Sequence, residues 1–85
     1  MKIEVRLLFF GRLRERLQTS EETMSAEAAT VADVLAVLRA RGGVWGEELD
    51  ARRALGFAVG RRFARTNSPV QNGDEIAIFP PVTGG

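Results

Sequence analysis

Ile3, Val5, Leu7 and Phe9 share one parity along the start of the chain, and Lys2, Glu4 and Arg6 share the other. That alternation predicts a strand over Lys2 to Phe10 with one face buried. Leu8 and Phe10 break it, so the polar face turns apolar at its end. Gly11 interrupts the run, and Leu13 and Leu17, four apart among charged residues, predict a short helix with one apolar stripe. Glu21 to Ala28 reads as a weaker second strand. The clearest element is a helix from Thr30 to Arg41. Val31, Val34, Leu35 and Leu38 fall at i, i+3, i+4 and i+7, Thr30 is a good N-cap, and Asp33 stands where a capping box needs its carboxylate. Gly42-Gly43 stops the helix. Val44 to Leu55 is ambiguous between loop and one helical turn that packs Trp45 and Leu49 inward.

Three short strands complete the pattern. Phe57 to Val59 and Arg62 to Arg65 form a hairpin about Gly60-Arg61, read as a type II′ turn. In that hairpin Val59 faces Arg62 and Ala58 faces Phe63, so Phe63 points away from the core if Phe57 and Val59 point into it. Asn67-Ser68-Pro69 and Asn72-Gly73-Asp74 are turns, with Asp74 holding the second. Glu75 to Phe79 closes the domain, Ile76 and Ile78 inward, Glu75, Ala77 and Phe79 outward. The sum is an α+β fold, a mixed five-stranded sheet with one main helix across one face and short extra helices. Residues 1–79 make the domain and 80–85 an extended, flexible tail.

Composition narrows the function mainly by what is missing. The 85 residues contain no cysteine and no histidine. Thiolate nucleophiles, disulfides, sulfur metal ligands and the usual general base are therefore excluded, and no metal site is expected. The acidic pairs Glu21-Glu22 and Glu47-Glu48 read as solvated charge. A self-contained enzyme is a poor fit to such a chain. A net charge of +1 provides no strong field for nucleic acid or membrane. No apolar run approaches a membrane span, and the N-terminus lacks the features of a signal peptide, so the expected location is cytoplasmic.

Candidate chemistry lies at the end of the sequence. Pro80-Pro81 favours an extended backbone, Val82 and Thr83 follow, and Gly84-Gly85 brings no Cβ, so the segment is stiff and then slim. Outward Phe79 and Phe63, with Leu8 and Phe10, suggest a patch for a partner protein. Arg61, Arg62 and Arg65 are the densest basic cluster, read first as a solvated face, next as a rim contact to an acidic partner, with RNA a distant third. Arg62 is the member counted among the partner-binding residues.

The stretch VQNGDEIAIFPPVTGG, Val70 to Gly85, resembles the C-terminal signature of the MoaD/ThiS family of β-grasp, ubiquitin-like sulfur carriers, in its molybdopterin synthase branch. LLFFGRLRE, Leu7 to Glu15, resembles that family's first strand and helix. The departure is Gly60-Arg61, where relatives often carry asparagine. The resemblance implies a role that needs no side-chain nucleophile. The Gly85 carboxylate would be adenylated by an ATP-using, MoeB-type partner and converted to a thiocarboxylate with sulfur from a sulfurtransferase. It would then donate sulfur to a cyclic pterin precursor in the MoaE-type large subunit of molybdopterin synthase, during molybdenum cofactor biosynthesis. The resemblance implies that Pro80, Pro81, Val82, Thr83 and Gly84 thread a narrow channel of the partner and bring Gly85 to a nucleotide, and it further implies a heterotetramer of two small and two large subunits, with no cofactor bound to the small subunit. Rival readings are a sulfur carrier for thiamine or tRNA thiolation, and a ubiquitin-like protein modifier.

Overall fold

The computed structural model describes residues 2–80. Strands β1 (Lys2–Phe9) and β2 (Glu21–Glu27) flank helix α1 (Gly11–Leu17); α2 (Val31–Arg39) and α3 (Gly43–Glu48) follow, then β3 (Gly56–Val59), β4 (Arg62–Ala64) and β5 (Glu75–Phe79). The sheet order is β2-β1-β5-β3-β4. β1 runs parallel to β5, and the other neighbours are antiparallel. This is the mixed five-stranded β-grasp plan expected from the sequence.

One face of the sheet carries the core, as the alternation requires. Val5, Leu7 and Phe9 of β1, Ile76 and Ile78 of β5 and Phe57 of β3 are buried against Val31, Val34, Leu35 and Leu38 of α2. Leu13 and Leu17 of α1 and Leu49 after α3 close the same cluster. The start of α2 is tied down twice. Thr30 and Asp33 complete the capping box, and the Val31 and Ala32 N–H groups donate to the carbonyls of Ser68 and Thr66. First-turn donors that a helix cannot satisfy itself are thus taken up by the β4–β5 connection. That connection is held in turn by Asp74, whose carboxylate accepts from the Gln71 N–H at 2.7 Å.

Four local readings are corrected. The hairpin turn is type I′, because both Gly60 (φ 57°) and Arg61 (φ 71°) are left-handed, whereas type II′ needs positive φ only at the first position. β4 stops at Ala64, since Arg65 leaves the ladder to exchange hydrogen bonds with Ser68. Trp45 is half-buried rather than core: its ring meets Phe9 edge-on at 5.6 Å, while the Arg41 guanidinium lies 4.4 Å from its centroid. Glu47-Glu48 is not a solvated pair, because Glu48 is only 2% exposed.

A left-handed arginine costs roughly 1–2 kcal/mol more than glycine at the same position. Replacing Gly60-Arg61 by Asn-Gly, the preferred type I′ pair, is expected to raise stability by about 0.5–1 kcal/mol. Urea unfolding of the two proteins would show it. An unchanged midpoint would mean that the turn is unstrained.

Candidate functional site

The parity that buries Phe9 and Ile78 turns Leu8, Phe10, Ala77 and Phe79 to the other side of the sheet. The register aligns Leu8 with Ala77, Ala77 with Ala58, and Ala58 with Phe63 across four strands. Small residues in the middle of that row leave a low floor, from which Phe63 stands up 91% exposed. One step along, Gly56 is aligned with Phe79. The Phe79 ring lies directly over Gly56: a Cβ there would come within 2.0 Å of it. The same ring meets Phe63 edge-on, with centroids 6.3 Å apart and planes at 73°. The pair is therefore pre-positioned, Phe79 seated on backbone and Phe63 propped by Phe79.

Phe10 ends the apolar face on the β1 side. It is 46% exposed, keeps extended backbone as the N-cap of α1, and donates its N–H to the Ile78 carbonyl at 3.2 Å. That bond holds the top of β1 against the end of β5. Gly11 follows, and a Cβ there would lie 3.1 Å from Pro80 Cγ. The point from which the chain continues past β5 is therefore in contact with the start of α1 and beside the aromatic face.

Leu8, Phe10, Phe63 and Phe79 thus share one face, and Pro80 lies at its end. Arg62 does not share it. Its pairing with Val59 gives it the opposite parity, and it is exposed because β4 is an edge strand. Pro81, Val82, Thr83, Gly84 and Gly85 lie outside the described residues. A cleft of about 380 Å³ sits on the helix side, lined by Leu35, Leu49, Leu55 and Phe57 with Arg39 and Asp50, and contains none of the candidate residues. Among the described residues no group of three acidic side chains is placed to hold a metal ion, and no helix is long and apolar enough to cross a membrane.

Glu48 is the residue whose importance the sequence hid. Its carboxylate accepts from Arg16 at 3.1 Å and Arg12 at 3.3 Å, with Arg53 at 3.9 Å. It thereby fastens α3 and the following loop to α1, the helix whose first residue touches Pro80. Burial alone would raise its pKa. The Arg16 hydrogen bond and the charges of Arg12, Arg53 and Arg16 together outweigh burial, and the net shift is downward. Arg12 and Arg16, four apart on one helix face, were the available signal.

Glu48→Gln is expected to cost about 1.5–3 kcal/mol, the range for hydrogen bonds to a charged group. The sign of the pH dependence follows from the depressed value. The carboxylate's contribution is present above 4.5, its ordinary value, and is lost as pH falls through the lower folded value. Urea unfolding at pH 7 should separate wild type from the variant, and the gap should close in acid. A gap that widens in acid would mean that the carboxylate is held protonated.

With this geometry in place, the relatives become informative. A curated protein of Escherichia coli (strain K12), the molybdopterin synthase sulfur carrier subunit, is 33% identical over 81 residues, covering 95% of this chain and 99% of its own. The protein of the same name from Haemophilus influenzae is 37% identical over 79 residues, covering 93% and 96%. Among solved structures, a Haloferax volcanii protein, HVO 2177, superposes with a TM-score of 0.80 at 26% identity, over 99% of this chain and 88% of that one. Small archaeal modifier protein 1 of Methanosarcina acetivorans superposes with a TM-score of 0.75 at 27% identity, over 100% and 99%. The ThiS family pattern covers residues 7–85, from the middle of β1 through Gly85. On that match, which takes in all but the first six residues, this chain belongs to the ThiS family.

Proposed function

We propose that this chain is the sulfur-carrier subunit of a molybdopterin synthase, with the Gly85 carboxylate as its reactive group. The observation that carries this reading is the near-full-length similarity to two curated sulfur carrier subunits, within a family match that runs through Gly85. The aromatic face beside Pro80 supports it, because a carrier must dock while its terminus reaches elsewhere.

The chemistry divides between this chain and its partners. An adenylating enzyme joins the Gly85 carboxylate to the AMP portion of ATP and releases pyrophosphate. A sulfurtransferase persulfide then attacks the same carbonyl carbon and expels AMP, and a second thiol reduces the resulting acyl disulfide, leaving a thiocarboxylate. In the large subunit that sulfur bonds to the pterin precursor, and water then cleaves the bond between it and the Gly85 carbonyl carbon, so that Gly85 returns as a carboxylate. Two such transfers build a dithiolene. With no histidine and no cysteine in its sequence, this chain leaves acid–base work and cations for the precursor's phosphate to the large subunit. What it contributes is position: bound aromatics fix the domain, and a stiff proline pair limits the entropy lost as the terminus enters the pocket. The assembly is two small and two large subunits, joined through the large ones.

The likeness to small archaeal modifier protein 1 favours a second reading, in which Gly85 is joined to lysines of target proteins. Both readings share adenylation and differ afterwards. Pyrophosphate exchange into ATP by the adenylating enzyme of the same genome tests the shared step. Exchange should depend on this chain and on Gly85, and exchange that ignores the chain would contradict both readings. High-mass conjugates on a blot of cells, with no sulfur transfer to the precursor, would favour the modifier.

A further inference from the structure

Six of the twelve cations reach carboxylates, and Lys2, Arg14 and Arg39 stand singly on three other elements. Arg6 reaches Glu21 and Glu75; Arg12, Arg16 and Arg53 converge on Glu48; Arg41 pairs with Glu22 and Arg52 with Asp50. The side chains of Arg61, Arg62 and Arg65 reach no carboxylate among the described residues, although they lie within five positions of one hairpin. All three are exposed, and between them stands Phe63, 91% exposed and propped by Phe79. An exposed, pre-positioned aromatic is what anchors an interface. Uncompensated cations clustered around it add a local positive field; elsewhere on the sheet Arg6 is balanced by Glu21 and Glu75, and Lys2 stands alone.

We propose that the β3–β4 hairpin selects its partner by charge: Phe63 enters an apolar pocket of the synthase large subunit, and Arg61, Arg62 and Arg65 meet carboxylates on the rim of that pocket. Arg62 takes part because β4 is an edge strand, so its side chain meets a partner that wraps the edge while Phe63 meets it from the face. The charge pattern favours a protein over RNA. Exposed Glu4 on the same sheet would repel a phosphate backbone running across it. The inference rests on the synthase reading and adds to it the chemistry of the docking surface.

The test is stopped-flow association of the full chain with the synthase large subunit of the same genome, at low and high ionic strength. The double variant Arg62→Glu/Arg65→Glu should associate at least ~10-fold more slowly at low salt, and screening should close the gap at high salt. Circular dichroism should be unchanged, because both side chains are exposed; the milder Arg62→Gln/Arg65→Gln pair should fall between. A double variant that associates at the wild-type rate at low salt overturns the inference alone. Tight binding of single-stranded oligouridine, lost in the double variant, overturns its assignment to a protein partner. No complex between wild type and large subunit at any salt overturns the carrier reading and this inference with it.

Discussion

Deleting Gly85 is expected to abolish sulfur transfer and leave the domain as stable as before. Among the described residues the buried side chains lie between Ile3 and Ile78, and Pro80 marks the far edge of the described packing, against Gly11. Gly85 has no side chain to bury, and terminal residues contribute little to stability, so the unfolding midpoint should not move. Activity should respond in full. The truncated protein still ends in a carboxylate, but that carboxylate is one residue short, roughly 3.5 Å in extended chain. Misplacement of reacting atoms by even about 1 Å can cost on the order of 100-fold. An alanine added after Gly85 should fail equally, by moving the carboxylate outward. Assay of precursor conversion with the large subunit, beside thermal unfolding of the same samples, separates the two effects. A truncated chain that still supports conversion would remove Gly85 from the mechanism.

The second large effect is expected at Phe63. Phe63→Asp puts a charge where an interface is to be desolvated, and should weaken docking by about 2–4 kcal/mol, roughly 30-fold to 1,000-fold. Stability should stay level, because the ring is nearly all in solvent. Phe79→Asp is the instructive comparison. That ring covers Gly56 and props Phe63, so its loss should weaken docking and also cost stability. The sequence placed both rings outward alike, and the structure separates them. Gly56→Ala supplies the control without touching an aromatic, because its methyl must displace the Phe79 ring. Titration calorimetry with the large subunit and urea unfolding of each variant would distinguish these cases. Equal stability losses at Phe63 and Phe79 would contradict the assigned orientation of Phe63.

The pattern of the chain made the fold legible because one period dominates each element. Ile3 to Leu7 alternates with charged residues, Ile76 and Ile78 share one parity, and Val31 to Leu38 keeps a helical spacing, so burial had one solution for each. Parity alone put Phe63 and Phe79 on the face opposite the helix. What escaped depends on pairings between distant residues. Glu48 reads like any exposed acid until Arg12 and Arg16 of another helix and Arg53 of the next loop are placed around it. Gly56 is an unremarkable strand start until Phe79, 23 positions on, is laid over it. Gly60-Arg61 misled because glycine first suggests type II′, and only a backbone strained at Arg61 produces type I′. Residues 81–85 lie outside the described structure, so the chemistry assigned to Gly85 rests on sequence and kinship.

The most direct measurement is the intact mass of this chain, untagged at its C-terminus, purified from cells that express its adenylating and sulfur-transfer partners. The account predicts a population heavier than the unmodified chain by the difference between one sulfur and one oxygen. Fragmentation should confine that difference to Gly85, and incubation with the large subunit and the pterin precursor should abolish it. A chain that keeps its unmodified mass in those cells, while they still make the cofactor, would contradict the account.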